Sequence, residues 1–510
     1  MLATVKSAGL NGVDGFPVTV ECRVSSRLEN FLMVGLPDKA VMEAKERIKS
    51  AIENSGCLFP DGEITVNLAP ADKKKQGSAY DLAILVGILA AAQELTAELD
   101  GKCFIGELSL SGGIRGVRGV LCMVLAAKEA GMREVYVPAE NAAEASVAEG
   151  IAVYGVSDVP SLLKHLTGEQ MLLPIVFDRN AFEKDAQNYS LDFSDVKGQE
   201  RAKRAIEIAA AGGHNILLIG PPGTGKSMLA KRIPSILPVL TFGEAIETTK
   251  IHSIAGMLPD GVSLIRERPF RSPHHTLSAV ALAGGGTIPM PGEISLAHNG
   301  VLFLDELPEF GKAATEVLRQ PLEDHSITII RASGRVTFPC AVMLVCAMNP
   351  CRCGYYGHPT RPCTCKRSEI KEYLSRVSGP LLDRIDIQIE VPPLTYNEIS
   401  DLTPAESSAS IRARVRKARD FALRRYEAAD MQVYSNAAMT SRHIRQFCRL
   451  TPEASSLMEQ AFSSMALSPR GYDRILRVAR TIADLAESEE IEAKHLAEAI
   501  QLRSLDRKYW

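Results

Sequence analysis

Residues 215–227 read NILLIGPPGTGKS and predict the centre of the fold. An apolar strand runs into a glycine-rich loop of the GxxxxGK[ST] form, and a helix begins near Met228. Backbone N–H groups of such a loop approach phosphates, the lysine reaches the terminal phosphates, and the serine hydroxyl can bind Mg²⁺. The strand-to-helix setting favours an ATP and Mg²⁺ site over a chance glycine loop. The predicted nucleotide-binding residues are Gly220, Pro221, Pro222, Gly223, Thr224, Gly225, Lys226, Ser227 and Met228.

Two carboxylates end the next buried strand, Val301–Leu304. We assign Asp305, together with Ser227, to Mg²⁺ coordination and Glu306 to the orientation of the attacking water. Asn349 follows a further apolar strand, where a polar side chain could help to align that water. Taken alone, each is an ordinary strand end or turn starter. Downstream of the glycine-rich loop they predict ATP hydrolysis.

Length and composition indicate an ordinary globular protein of several domains. The chain has 510 residues, 46% hydrophobic and 23% charged, and length alone favours about three domains. The net charge of −3 excludes a globally basic, histone-like protein, so nucleic-acid binding has to rest on local surfaces. Neither a signal peptide nor a run of membrane-spanning length is recognisable, and we expect a cytoplasmic protein without membrane contact.

Four segments follow from the order of strand and helix signals. Residues 1–165 alternate between strands and helices and predict an α/β domain. Residues 166–192 lack a sustained period and predict a linker. Residues 193–392 alternate as a parallel sheet requires, and residues 393–510 carry helical signals.

The central motifs occur in the order GPPGTGKS, LFLDELPEF, AMNP and GPLLDRIDI. With them the chain resembles the magnesium-chelatase-like branch of AAA+ ATPases, and over nearly its whole length it is similar to the ComM/YifB family. The resemblance implies a Lon-protease-like (S5-type) α/β domain over 1–165 and an AAA+ P-loop core over 193–392. It further implies a helix-2 insert, a presensor hairpin and a four-cysteine loop in that core, and a helical lid over 393–510.

The same resemblance implies roles for three polar residues. Arg384 resembles the arginine finger, whose guanidinium neutralises charge on the phosphoryl group in a neighbouring subunit, and this implies a homo-hexamer. Asn349 stands at the sensor-1 position. Arg470 resembles sensor 2, at which a lid arginine contacts ATP, with Arg474 as the second choice. Surface ion pairs with neighbouring aspartates and a solvated basic helix face are the alternatives.

The amino-terminal domain resembles Lon-type proteases in two segments. Ser78 lies close to the nucleophile position, but Leu121 occupies the position of the lysine base of a Ser–Lys dyad. Leucine cannot accept a proton, so we predict a Lon-like domain without peptidase activity. The lysines at 73–75 could meet nucleic acid, although a charge run is more often a solvated face.

Clustered cysteines predict a structural zinc site. Two Cys-x-Cys pairs stand nine residues apart and supply four thiols, enough for a closed tetrahedral site. The predicted ligands are Cys351, Cys353, Cys363 and Cys365, with His358 as a substitute, and reduced free thiols are the alternative. The loop also carries cations and aromatics suited to phosphate contact and base stacking, namely Arg352, Tyr355, Tyr356, Arg361, Lys366 and Arg367.

Residues 327–338 alternate around Ser333-Gly334 and predict a hairpin with Arg331 and Arg335 at its tip. In related helicase rings a presensor hairpin enters the pore, so these arginines are predicted to bind the DNA backbone. The alternative is an exposed turn whose charges serve solubility.

A further stretch, 250–293, contains SPHHT and a glycine triplet and resembles the helix-2 insert of this branch. Its His274 and His275 have no obvious ligand partners, so we assign them no metal.

These features together predict a hexameric ATP-dependent DNA motor. A helicase or branch-migration activity on single-stranded or branched DNA, in recombination or natural transformation, is the function that the resemblance implies, and accessory recombination proteins are possible partners. A magnesium-chelatase-like motor subunit is the first alternative. A Lon-type peptidase is the second, and Leu121 disfavours it.

Overall fold

The structure is a computed structural model. It describes the chain except residues 27, 185–188, 332–333, 401–402, 430, 432, 434, 466, 504, 506–508 and 510, and the side chains of residues 181, 183, 184 and 399. Among the described residues, no helix is both long and apolar enough to cross a membrane.

The amino-terminal domain is built on a mixed seven-stranded sheet in the order β3-β4-β2-β1-β5-β8-β9, with β6 and β7 paired separately. Its strands are β1 (Leu2–Asn11), β2 (Asp14–Ser25), β3 (Asn30–Val34), β4 (Glu63–Ala69), β5 (Lys102–Phe104), β6 (Glu107–Leu108), β7 (Ile114–Arg115), β8 (Glu134–Pro138) and β9 (Ala152–Val156). Its helices are α1 (Lys39–Met42), α2 (Ala44–Asn54), α3 (Asp81–Ala92), α4 (Val120–Glu129), α5 (Ala142–Ala145) and α6 (Val159–Thr167). Helix α3 is apolar on nearly every face and is therefore buried, as a helix without a polar stripe must be. The predicted α/β domain is present, and its likeness to Lon-type domains stays a prediction.

The central domain contains a five-stranded sheet in the order β11-β14-β17-β10-β18, in which every pairing is parallel. Its strands and hairpins are β10 (Ile216–Ile219), β11 (Phe270–Arg271), β12 (Gly284–Gly285), β13 (Met290–Pro291), β14 (Val301–Leu304), β15 (Ser326–Arg331), β16 (Gly334–Pro339), β17 (Met343–Met348) and β18 (Ile387–Glu390). The helices before and within this domain are α7 (Arg179–Lys184), α8 (Glu200–Gly212), α9 (Lys226–Arg232), α10 (Phe242–Ala255), α11 (Ala279–Ala283), α12 (Glu293–Leu296), α13 (Lys312–Val317), α14 (Pro321–Asp324), α15 (Arg367–Ser375) and α16 (Gly379–Leu382). Strands β10, β14 and β17 are wholly buried, which explains their continuous apolar sequences.

The stretch 250–293 is not one insertion. Strand β11 lies inside it and pairs with β14, so part of this stretch belongs to the core sheet. Only the short pair β12–β13, between α11 and α12, projects as a hairpin. We call residues 284–291 the insert hairpin and residues 326–339 the presensor hairpin. The prediction was too broad because two residues are too short a strand for a periodic signal.

The predicted linker is folded onto both of its neighbours. Ile175 donates its backbone N–H to Val153 at the edge of the amino-terminal sheet. Phe177 and Phe182 pack with Phe242 at the start of α10, with ring centroids 5.9–6.4 Å apart. Isolated aromatics in a polar stretch carry no period, which is why the sequence did not show this contact.

The carboxy-terminal region consists of helices, as predicted. They are α17 (Tyr396–Ser400), α18 (Ser408–Glu427), α19 (Ser441–Phe447), α20 (Pro452–Met465), α21 (Pro469–Leu485) and α22 (Ala493–Gln501). Apolar residues of α18 and α21 share one core with α8 and the buried strands of the central sheet. Its role as a lid stays a prediction.

Candidate active site

The glycine-rich loop joins β10 to α9 and surrounds its own lysine. The Lys226 Nζ donates to the carbonyl oxygens of Gly220 (2.7 Å) and Pro221 (2.9 Å) and to the Asn349 Oδ1 (3.2 Å). Burial lowers the pKa of Lys226 to about 8, while Asp305 and Glu306 oppose that shift. A nucleotide phosphate would replace these neutral carbonyl partners with negative charge, which favours the charged lysine.

A second cluster forms where β14 ends beside this loop. The Ser227 hydroxyl donates to the Asp305 Oδ2 at 2.6 Å, so the two predicted Mg²⁺ ligands are already in contact. Hydroxyl and carboxylate oxygens are ligands that Mg²⁺ takes together with phosphate oxygens, and the site fits this ion. Glu306 follows with a left-handed backbone (φ 53°) and a half-exposed side chain, 55% of which is accessible. It can therefore face a water that approaches from outside.

The sequence did not identify two residues that the structure places at this site. Gln199 precedes α8 in a left-handed conformation and donates to the backbone oxygens of Thr224 (3.4 Å) and Pro392 (2.7 Å), which ties the loop to the end of the central domain. His275 lies with its Nδ1 3.5 Å from the Glu306 Oε2. Both contacts join segments far apart in the chain, and neither belongs to a local motif.

Arg384 lies at the opposite end of the central sheet. The Asn215 side chain, just before β10, donates to the Arg384 carbonyl oxygen at 2.8 Å, whereas Lys226 follows the other end of that strand. A four-residue strand spans about 13 Å. The guanidinium contacts Glu323 at 2.5 Å and the carbonyl oxygens of Arg319 (2.9 Å) and Pro380 (2.6 Å). Arg384 is therefore remote from the nucleotide loop of its own chain.

Arg384 borders a cavity of about 470 Å³ that we call the arginine cavity. The arginines lining it are Arg268, Arg384, Arg419, Arg470, Arg474 and Arg477. Arg470 is exposed, and within the described part of the chain it has no hydrogen bond or ion pair. Arg474 is buried and lies 3.6 Å from Asp383. The structure thus places the predicted sensor-2 arginine beside Arg384, and none of the residues around this cavity belongs to the chain's own glycine-rich loop.

The two hairpins of the central domain meet at Arg331. A Cβ built on Gly285 of the insert hairpin would lie 3.1 Å from the Arg331 Nη2, and one on Gly284 would lie 2.9 Å from the Ile329 side chain of the presensor hairpin. Arg331 and Arg335 are both exposed near the end of the presensor hairpin. The structure therefore confirms the hairpin; Ser333, at its predicted tip, lies outside the described residues.

The four cysteines predicted to bind zinc come together. Their Sγ atoms all lie within 4.8 Å of one another, and three of the separations are 3.3, 3.5 and 3.7 Å. A tetrahedron with Zn–S bonds of about 2.3 Å has edges of about 3.8 Å. The geometry suits Zn²⁺ and is far from the S–S bond length of about 2.05 Å. The His358 Nδ1 instead accepts backbone N–H bonds from Thr360 (3.1 Å) and Arg361 (3.0 Å) and is not in the cluster.

Ser78 and Leu121 have different neighbours in the structure. The Ser78 hydroxyl donates to Glu107, whereas Leu121 is buried in an apolar cluster with Leu240, Ala245 and Leu264 of the central domain. Leu121 is therefore part of the contact between the two domains. Lys75 is wholly buried and donates to a backbone carbonyl, which excludes it from the nucleic-acid surface proposed for lysines 73–75.

Comparison with known proteins identifies the family of this chain. Family models described as "Magnesium chelatase, subunit ChlI", "Subunit ChlI of Mg-chelatase" and "Magnesium chelatase, subunit ChlI C-terminal" match residues 192–399, 20–141 and 405–503. Competence protein ComM of Haemophilus influenzae and the uncharacterized protein YifB of Escherichia coli are each 43% identical over 99% of this chain and 98% of their own length. DNA replication licensing factor Mcm6 of Drosophila melanogaster is 21% identical over 88% of this chain and 53% of its own length. The chain belongs to the ComM/YifB family of magnesium-chelatase-like AAA+ proteins.

Proposed function

We propose that this protein is a homo-hexameric ATPase that moves on DNA, as a helicase or branch-migration motor in recombination or natural transformation. The proposal rests on the position of Arg384 and Arg470. Both line one cavity, and both lie away from the glycine-rich loop of their own chain. If these arginines are needed for hydrolysis, they have to act on the nucleotide of a neighbouring subunit, because their own loop is too far away. In a ring every site has such a neighbour. Lys226, Ser227, Asp305, Glu306 and Asn349 supply the other half of each site.

DNA is the proposed substrate because the two hairpins meet at Arg331, whose side chain is exposed. Exposed arginines at the end of a hairpin can bind the phosphate groups of DNA regardless of the base sequence. Competence protein ComM, a relative over the full length, is named for competence, and the distant Mcm6 relative is named for DNA replication. Arg331 and Arg335 are the proposed backbone contacts.

A DNA-stimulated ATPase assay tests this function. We expect single-stranded, duplex or four-way-junction DNA, most strongly the branched form, to raise the rate of ATP hydrolysis. The Arg331→Ala/Arg335→Ala variant should bind DNA about tenfold or more weakly, with a salt slope shallower by about two, because two phosphate contacts are lost. Its DNA-free ATPase rate should stay at the wild-type value.

The matched control is Arg416→Ala/Arg424→Ala, which removes two exposed arginines of α18, far along the chain from both hairpins. Equal loss of DNA binding in this variant would mean that only net charge matters. An ATPase that neither binds DNA nor responds to it would contradict the proposal. That result would favour the second candidate, a magnesium-chelatase-like motor, which the family model matching residues 192–399 supports.

A Lon-type peptidase is not proposed. The Ser78 hydroxyl faces a carboxylate, Leu121 lies in the interface between domains, and Lys75 is engaged with a backbone carbonyl. A Ser–Lys dyad needs a lysine amine within hydrogen-bond reach of the serine hydroxyl. The Ser78 hydroxyl has a carboxylate partner instead of a lysine. The amino-terminal domain is proposed to serve assembly or substrate contact.

A structural Zn²⁺ in the four-cysteine loop completes the proposed cofactor set of ATP, Mg²⁺ and zinc. Cys353 and Tyr356 donate backbone N–H bonds to the Sγ atoms of Cys365 (3.4 Å) and Cys351 (3.3 Å), an arrangement that stabilises thiolates. The loop rests on the nucleotide loop, because a Cβ on Gly354 would lie 2.5 Å from the Pro222 side chain. A bound Zn²⁺ would therefore stabilise both the four-cysteine loop and the glycine-rich loop.

We expect elemental analysis of the purified protein to find about one zinc ion per chain. The Cys363→Ser/Cys365→Ser variant should lose the metal, because two of four thiolates are removed, and its four-cysteine loop should become sensitive to protease. The control is Cys57→Ser, which removes a partly exposed cysteine of the amino-terminal domain and should leave the zinc content unchanged. Wild-type protein without zinc, purified in the absence of chelators, would overturn the assignment.

A further inference from the structure

The four-cysteine loop begins directly beside a residue of the proposed ATPase site. The Asn349 Oδ1 accepts from the Lys226 Nζ at 3.2 Å, and Cys351, the first predicted zinc ligand, follows Asn349 after a single residue. Cys351 is wholly buried, and its Sγ accepts the backbone N–H of Tyr356 at 3.3 Å. A shift of the Cys351 thiol would therefore move the backbone that carries Asn349.

A second contact joins the four-cysteine loop to the glycine-rich loop. A Cβ built on Gly354 would lie 2.5 Å from the Pro222 side chain, so the two loops are in close contact at this glycine. Gly354 has a left-handed backbone (φ 86°) and donates its N–H to the Cys351 carbonyl oxygen at 3.0 Å. The cysteine cluster is therefore linked to the ATPase site at two places, through Asn349 and through Pro222.

The cysteines of this cluster are more accessible than most other cysteines of the chain. Cys353, Cys363 and Cys365 are partly exposed, whereas six of the seven cysteines outside the cluster are buried and the seventh, Cys57, lies in the amino-terminal domain. The Sγ atoms of Cys353 and Cys363 lie 3.5 Å apart. Oxidants react first with accessible thiolates, so an oxidant that arrives from solvent would react with this pair.

We propose that the four-cysteine loop is a redox switch, in which oxidation of Cys353 and Cys363 to a disulfide releases Zn²⁺ and stops ATP hydrolysis. The inference rests on the proposed ATPase and on the proposed zinc ion, and it adds a condition under which the motor is inactive. Formation of the bond shortens the separation of the two sulfur atoms from 3.5 Å to about 2.05 Å. The loop moves with them and displaces Asn349 and Pro222.

The oxidant is hydrogen peroxide, and two thiolates are oxidised for each peroxide reduced. The Cys353 thiolate attacks one peroxide oxygen and becomes a sulfenic acid, while the other oxygen leaves as hydroxide. The Cys363 thiolate then attacks the sulfenic sulfur, forms the S–S bond and displaces a second hydroxide. Two protons convert both hydroxides to water. Because Zn²⁺ binds thiolates, the disulfide leaves it with two of its four ligands, and the ion dissociates.

Peroxide titration of the purified, zinc-loaded protein tests the switch. A chromogenic chelator measures the released Zn²⁺, and peptide mass spectrometry measures the Cys353–Cys363 disulfide. Both should increase together and in equal amounts. DNA-free ATP turnover of the same sample should fall about tenfold or more, since a misplacement of about 1 Å in an active site can cost about 10²-fold. A dithiol reductant with added Zn²⁺ should restore the turnover.

Two variants separate the disulfide from general oxidative damage. Cys353→His keeps four zinc ligands, three cysteines and one histidine, but forms no disulfide with Cys363. It should keep most of its turnover at the peroxide concentration that inactivates the wild type, with each protein compared with itself before oxidation. Cys57→Ser should respond to peroxide as the wild type does. The zinc content of each variant before oxidation verifies that its site has formed.

Zinc release without a Cys353–Cys363 disulfide would overturn the inference, and so would a complete disulfide with unchanged turnover. The disulfide mapped in the wild-type protein decides this independently of any variant. A wild-type protein without zinc would overturn the inference together with the zinc assignment. A wild-type ATPase that ignores DNA would reject the proposed motor function, but the peroxide result would stand, because it is measured without DNA.

Discussion

Glu306→Gln is expected to lower ATP turnover by about 10²–10⁴-fold, the usual contribution of a positioned base. The amide keeps the size of the side chain but accepts no proton from water. Nucleotide binding should persist, because Lys226, the loop backbone and a Mg²⁺ ion held by Ser227 and Asp305 are the groups proposed to contact the phosphates. ATP turnover and the equilibrium binding of a fluorescent ATP analogue, measured on the same preparation, check both halves of this prediction.

Lys226→Ala is the matched comparison. It removes the charge that is proposed to contact the phosphates, so nucleotide binding and turnover should fall together. If Glu306→Gln lost binding to the same extent as Lys226→Ala, Glu306 would be a structural residue of the site. If Glu306→Gln kept wild-type turnover, the water would be oriented by another group and the assignment of Glu306 would be wrong.

Arg384→Ala is expected to reduce turnover by about 10³-fold or more, as loss of an arginine finger does. The guanidinium is remote from its own nucleotide loop, so the loss has to arise at the interface with a neighbour. The decisive measurement mixes Arg384→Ala with Glu306→Gln. In mixed rings some interfaces combine an intact Glu306 with an intact Arg384, and activity should reappear although each variant is inactive alone.

Glu323→Gln is the control for this prediction. It breaks the 2.5 Å ion pair with Arg384 but leaves the guanidinium in place. Turnover should then remain close to wild type. An equal loss of turnover in Glu323→Gln would show that Arg384 stabilises the fold of its own chain. An inactive mixture of Arg384→Ala and Glu306→Gln would show that the arginine acts within one subunit.

Much of the site was predictable because its motifs are local. The loop from Gly220 to Ser227 combines a buried strand, glycines and a helix start, and each property is encoded within a few residues. The carboxylates after β14 and the amide after β17 could be assigned because parallel strands present their carboxyl ends at one edge of the sheet. The structure places Asp305 and Asn349 in contact with Ser227 and Lys226.

Burial and orientation were less predictable. Lysines 73–75 form one charge run, yet Lys75 is wholly buried, because a single turn of backbone can place one side chain inside and its neighbours outside. Arg470 and Arg474 lie on one helix, yet the first is exposed and the second is buried near Asp383. Such differences depend on what packs against the element, and no local pattern records the packing partner.

The amino-acid sequence was sufficient to predict the order of strands and helices around the glycine-rich loop, the two carboxylates at the end of β14 and the clustering of four cysteines, since each is a short-range pattern of residue types. Tertiary structure was needed to show that Arg384 and Arg470 share a cavity away from their own loop, that Leu121 joins two domains, and that His275 meets Glu306. These contacts connect segments distant in the chain. Their geometry depends on how the sheet and the helices pack, and residue spacing does not specify that packing.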